Sequence, residues 1–232
     1  MELPPKVAEF RARHRGRNIG PRYSGWLHFA TTTVGAATVI GFCAWRIDRP
    51  SVLELAMIPV FFLFANLVEY FGHRGPMHHR SRLLGILFER HSQQHHRFFT
   101  HDAMETESAR DFQMVLFPPI MLGFFLGGVA PIGYAIAAVS TANVGYLFVA
   151  TGFSYFLLYE WMHWAYHRPL ASRIGGSRLI ARLRRHHLQH HDIEQMTVVN
   201  FNITFPIADW LFGTSARDSR ATVVSPAERH PS

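Results

Sequence analysis

Cysteine is almost missing from this 232-residue chain: Cys43 stands alone. A single thiol excludes a disulfide within the chain, and with it iron–sulfur ligation and cysteine-based zinc motifs. Charge is scarce too, at 17% of residues against 48% hydrophobic with twenty phenylalanines, an apolar balance for a soluble domain. There is no internal repeat and no low-complexity tract, and the middle of the chain has no linker-like composition, so one compact unit is expected. A signal-peptide pattern is also lacking. Basic residues continue to Arg22, and the long apolar stretch that follows has no clean small-residue cleavage site, so it is expected to stay as an anchor.

What the chain has in quantity is apolar length. The stretch from about Trp26 to Trp45 holds no formal charge, and about 20 residues suffice to cross a hydrocarbon core. A second runs from about Val52 to Phe71 with Glu54 and Glu69 near its ends. A third covers Phe112 to about Val129, and a fourth runs from near Pro131 to Glu160. The fourth is too long for one untilted span, so it tilts, protrudes or breaks near Gly145 or Gly152. The expected fold is all-α: an integral membrane protein of about four transmembrane helices with a cytoplasmic helical cap. Residues 1–25 read as a basic N-terminal tail, 26–214 as the transmembrane domain and 215–232 as a polar C-terminal tail.

Basic residues orient these spans. Of 23 Lys and Arg, six precede Gly25, six lie between His73 and Asp111, nine lie from Arg168 onward, and only Arg46 and Arg49 fall elsewhere. The positive-inside rule then puts both termini on the cytoplasmic side, together with every histidine cluster described below. The net charge of +7 and the runs FRARHRGR and RLIARLRRHH resemble phosphate-binding segments, but beside membrane-length stretches they fit anionic lipid headgroups, and no nucleic-acid partner is expected.

Ten of the sixteen histidines fall into four short clusters at the ends of these stretches or on basic segments between them: His73 and His78; His91, His95 and His96; His163 and His167; His187, His190 and His191. Histidines three or four apart on a helix point the same way, as a metal site requires. His91 with His95, His163 with His167, and His187 with His190 and His191 satisfy that spacing. His73 and His78 are five apart, and Gly75-Pro76 between them is expected to break the helix and present His78 from a new direction. Ten imidazoles exceed what one ion uses, so two metals are expected. His79 and His186 point about 100° away from their neighbours and are left out.

Two carboxylates share helix faces with clusters. Glu69 precedes His73 by four residues and Glu160 precedes His163 by three, so each is a candidate to accept the second ring N–H of its histidine. Glu160 could instead bind metal directly, or either could simply end a span. Leu83, Leu84, Leu87 and Phe88 recur at helical spacing before the second cluster and predict a packing helix along the membrane surface, while Arg178 to Asp192 predicts a basic amphipathic helix. Tyr155, Phe156 and Trp161 are candidates for a lipid slot or for an interfacial aromatic belt. Imidazole-rich, carboxylate-poor sites suit zinc, copper or iron. Three uses stay open on the residues alone: metal-assisted hydrolysis, oxidation of a lipid C–H bond, and metal carriage across the membrane.

The stretches EYFGHRGPMHH (Glu69–His79), RHSQQHH (Arg90–His96), YEWMHWAYH (Tyr159–His167), HHLQHH (His186–His191) and NFNITFPIADWLFGT (Asn200–Thr214) resemble the fatty acid hydroxylase and sterol desaturase superfamily, over roughly residues 66–214. The resemblance implies a four-span helical protein whose ten clustered histidines hold two metal ions, usually iron, with zinc as the alternative, and O2 as co-substrate. It also implies a lipid substrate, most closely a fatty acyl chain hydroxylated as by fatty acid 2-hydroxylases, with lipid or sterol desaturation or carotenoid hydroxylation as alternatives on the same site. Those enzymes carry H-x2-HH in the second cluster, whereas Ser92 stands here where a ligand is expected. There is no room for a fused cytochrome b5 domain, so a separate ferredoxin, cytochrome or reductase is expected to deliver electrons. Twenty-two arginines against one lysine point to a GC-rich bacterial source and hence an inner membrane.

Overall fold

The computed structural model describes residues 3–216. Among them four helices are long and apolar enough to cross a membrane: Gly25–Arg46, Val52–Met77, Met121–Val139 and Ala142–Tyr166. No strand occurs among the described residues. The first two spans lie where the sequence puts them. The second starts with a one-turn helix, Val52–Leu55, whose Ser51 and Glu54 cap each other reciprocally.

The boundary between the third and fourth spans differs from expectation. Phe112–Val115 is a separate short helix, set off by Pro118-Pro119, and the third span runs through Pro131 to Val139. Its neighbour begins after a break at Ser140, where the Thr141 side chain accepts from the amide of Val144. The break therefore precedes Gly145 and Gly152. A hydroxyl N-cap fixes the boundary, and Gly145 instead serves close packing: a Cβ there would lie 2.5 Å from the carbonyl oxygen of Gly133 on the third span.

The fourth span is the axis of the molecule. It packs against the other three, and 56% of its most apolar 18-residue stretch is buried inside the protein, against 6% for that of the third span. Its side chains join Ala36, Cys43 and Phe61 in one apolar core, while Val34, Trp45, Val60 and Phe124 project outward, the arrangement lipid solvation favours. At one end the two short loops meet, with Asn143 accepting from the amide of Asp48 at 3.0 Å and donating to its carbonyl at 2.8 Å. At the other end the four spans open into a layer of short helices, and all four histidine clusters lie there.

That layer is clamped by the N-terminal segment, which the sequence suggests is a tail. Pro5–Asn18 is a helix. Its Arg11 is fully buried and donates to the carbonyls of Phe98 (2.7 Å), Ala103 (2.6 Å) and Glu105 (3.0 Å). Arg15 pairs with the buried Asp111. A polar helix becomes part of the core here because backbone carbonyls of an irregular segment need donors that the segment cannot supply. Most of the expected C-terminal tail, from residue 217 onward, lies outside the described residues.

Candidate metal centre

Two of the four clusters owe their geometry to a widened helix. His73–Met77 and Glu89–His95 are π-helical turns, in which the extra residue per turn brings positions five apart onto one face. Pro76 does not break the second span as expected. The wider turn accommodates the ring, and the helix delivers His78 back toward His73, with ring centroids 5.0 Å apart. The same geometry aligns His91 with His96, whose Nε2 atoms are 3.0 Å apart. It also sends His95 to the other side.

The ten clustered histidines, all buried, therefore sort into two groups of five: His73, His78, His91, His96 and His190, and His95, His163, His167, His187 and His191, with one nitrogen from each member of a group lying within 4.8 Å of the others. The expected pairing of His91 with His95 is replaced by a split between groups. The fourth cluster divides likewise, His190 to one group and His187 with His191 to the other. Chemically the groups are alike, five imidazoles each. His186 instead meets Asp209 at 3.1 Å, and His79 is exposed.

Backbone carbonyls fix the ring tautomers of five of the ten histidines. The Nδ1–H of His73 donates to Phe201 O (2.5 Å), His95 to Met114 O (2.7 Å), His167 to Met104 O (2.8 Å), His190 to Val199 O (2.9 Å) and His191 to Phe99 O (2.6 Å). Ser92 fixes a sixth. Its hydroxyl donates to Met77 O at 2.8 Å and so can only accept from His78 Nδ1, 3.2 Å away. The residue standing where a ligand is expected instead orients His78.

With Nδ1 protonated, the Nε2 of each of these six rings carries a lone pair. In each group two such lone pairs face each other: His78 and His190 at 3.0 Å, and His95 and His191 at 3.2 Å. Two acceptors at that distance repel and cannot hydrogen-bond, an arrangement that a cation bound by both nitrogens would relieve. A proton is a poor candidate, because burial first and neighbouring imidazoles second push His78, His190 and His191 below the usual histidine range and His95 down to about 4. Metal ions fit both groups, by donor type, tautomer and convergence.

Neither glutamate accepts from an imidazole. Glu160 takes the amide of Phe117 (3.1 Å). Glu69 takes the amides of Ile203 (2.5 Å) and Thr204 (3.0 Å) and the hydroxyls of Thr204 and Tyr155. Its effect on His73 is indirect, since the loop it pins carries Phe201. The same loop is held by Asn66, Asn202 and Asp209: Asp209 accepts from the amides of Phe201 (2.9 Å) and Asn202 (2.8 Å), and Asn202 donates to Asn66 O (3.0 Å). Of these supports, Asn66 carries a sequence signal, as an amide deep in an apolar span.

An apolar groove leads away from the centre. A cavity of about 400 Å³ lies against His91, His95 and His163 and adjoins one of about 340 Å³ reaching between the spans to Val129, Phe148 and Gly152. They share Met77, Leu87, Phe117, Met121 and Tyr159. Leu84, Ile86 and Leu87 line the first rather than serving only as packing, and Tyr155 and Phe156 line the second. Trp161 does not; it faces the first span and donates to Thr33 at 3.0 Å. A polar recess containing Arg97, Asp102 and Asp192 reaches His96 and His191, one from each group.

The family model described as fatty acid hydroxylase matches residues 58–214, more than half of the chain. A solved structure of full-length Scs7p, in which only the hydroxylase domain is visible, is similar with a TM-score of 0.59 at 19% identity, covering 87% of this chain and 71% of that one. That likeness is one of fold. No curated protein matches the chain in sequence.

Proposed function

The chain belongs to the fatty acid hydroxylase family, and from that membership we propose that it is an O2-dependent lipid hydroxylase whose ten clustered histidines hold two iron ions. The observation that carries this reading is the placement of two buried five-imidazole groups at one end of an apolar groove between membrane-length helices. Such a groove takes a lipid chain. Unactivated C–H bonds yield only to an oxidant, and iron bound by these imidazoles would supply the activation of O2.

The net reaction is R–H + O2 + 2 e⁻ + 2 H⁺ → R–OH + H2O, with electrons from a separate donor such as a ferredoxin, cytochrome or reductase. The residues around the groove hold the alkyl chain and exclude water: Phe117, Met121, Tyr159 and Phe156 form its walls. The carbonyls of Phe201, Met114, Met104, Val199 and Phe99, with Ser92, hold the imidazoles in the tautomer that leaves Nε2 free. The charge placement of the sequence supports a cytoplasmic position for the histidine end and both termini. A transport site is normally near the bilayer centre between spans, whereas these groups gather at the ends of the helices, which favours an enzyme over a carrier.

Comparing the lipids of cells with and without the gene tests the reading. Gain of one oxygen atom on a lipid is the expected difference; loss of two hydrogens would indicate desaturation instead. A strain complemented with His163→Ala should match the deletion strain. An unchanged lipid profile across all classes would sink the proposal.

A further inference from the structure

Arg90 is the charged side chain of the cavity that also exposes His91, His95 and His163. It lines in addition a polar recess beside Tyr23, His28 and Gln113, and so stands where the apolar groove meets a polar one. Its Nη2 donates to the carbonyl of Gln113 at 3.0 Å. No carboxylate lies within ion-pair distance among the described residues. Glu160 is the acid whose charge reaches Arg90, but its oxygens are turned to the amide of Phe117. A guanidinium carries five N–H donors in a planar fork suited to a carboxylate, and this one, which lines the cavity, uses a single donor on the protein. Holding such a group partly out of water is costly unless an anion pairs with it.

The remainder of the groove sets the direction of a ligand. Its inner cavity holds one acidic residue, Glu69, whose oxygens are taken by the loop amides, Thr204 and Tyr155. An anion is therefore disfavoured at the inner end and favoured at Arg90. The inner walls at Phe148, Val129 and Gly152 suit an alkyl tail. At the Arg90 end the rim is formed by Ile86, Ile120 and Phe124, each more than two-thirds exposed, which opens the groove sideways to the bilayer.

We propose that Arg90 anchors the carboxylate of a free acyl chain, with the tail in the inner cavity and the first carbons beside His91, His95 and His163. This rests on the groove being the acyl-chain slot proposed above. It narrows the substrate class to an ionised fatty acid rather than a neutral ester or amide.

Equilibrium binding of radiolabelled palmitate, methyl palmitate and dipalmitoyl phosphatidate to the metal-loaded full chain in nanodiscs, without oxygen or electron donor at pH 8, tests it. Wild type should bind palmitate about 10- to 100-fold more tightly than the ester, the range of a charge-assisted hydrogen-bonded pair. Arg90→Gln should erase that preference and leave ester binding and metal content unchanged, and Arg90→Lys should keep part of it. Equal binding of acid and ester by wild type overturns the proposal, and that comparison stands even if Arg90→Gln fails to fold. Persistence of the preference in Arg90→Gln overturns it too, as does Arg90-dependent binding of phosphatidate without that of palmitate. Arg90-dependent palmitate binding with no oxygenated product would sink the hydroxylase reading alone.

Discussion

His95 and His191 face each other through Nε2 atoms 3.2 Å apart while the Nδ1–H of each donates to a backbone carbonyl, Met114 and Phe99 respectively. Two lone pairs held in opposition repel, and an ion bound by both nitrogens would relieve that repulsion, so the packing can hold a metal ion. His78 and His190 repeat the relationship in the other group at 3.0 Å.

Removing metal should therefore cost stability, and acid should cost more. The buried imidazoles outside the spans have their proton affinity lowered by desolvation, His95 down to about 4 from the ordinary 6.5. As pH falls through 6.5 the unfolded chain takes up protons that the folded chain refuses, so the stability of the metal-free protein is full above that value and is lost progressively toward pH 4. Thermal unfolding after chelation should show a midpoint below that of the loaded protein at pH 8 and a further fall between pH 7 and pH 5. A metal-free midpoint that does not move over that interval would contradict the assignment of neutral buried imidazoles.

Ser92→Ala should weaken metal binding by about 10- to 100-fold, the usual cost of losing a residue that orients a ligand. The change leaves the His78 Nδ1–H without its acceptor and frees that ring to turn. Chelator competition on the folded variant measures the effect. Wild-type affinity in Ser92→Ala would show that His78 is oriented by other means.

Arg11→Met should destabilise the fold by about 3 kcal/mol, because the carbonyls of Phe98, Ala103 and Glu105 lose their donors in a buried setting. A midpoint lowered by several degrees is the expected readout for a chain of this size. An unaltered midpoint would return the N-terminal helix to the role of a surface tail.

Much of this architecture can be seen in the residues. Period, length and charge placed the first two spans, and the histidine spacing singled out all ten imidazoles that the structure gathers into two groups. What spacing could not show is their division. His91 and His95 look paired on an α-helix, but the π turn at Glu89–His95 shifts the register by one residue and separates them. Pro76 misleads for the same reason. The orienting partners were hidden because five of the six are backbone carbonyls, which carry no sequence signature, and the sixth, Ser92, looks like a missing ligand. Glu69 stands out as an acid in an apolar span, yet its function depends on a loop 134 residues away, at Ile203.

Orientation in the membrane is open to direct test. In a Cys43→Ser background, Arg49→Cys should react with a membrane-impermeant thiol reagent added outside intact cells, and Ser81→Cys only after permeabilisation. The reverse pattern would place the histidine end outside.

Whether each group of five imidazoles holds one ion is decided by metal analysis of the purified chain combined with X-ray absorption. Two iron ions per chain in a shell of imidazole nitrogens are expected, falling to one when His95 and His191 are both changed to Ala while the first group keeps its ion. One ion or none in a folded wild-type chain supplied with iron would contradict this expectation.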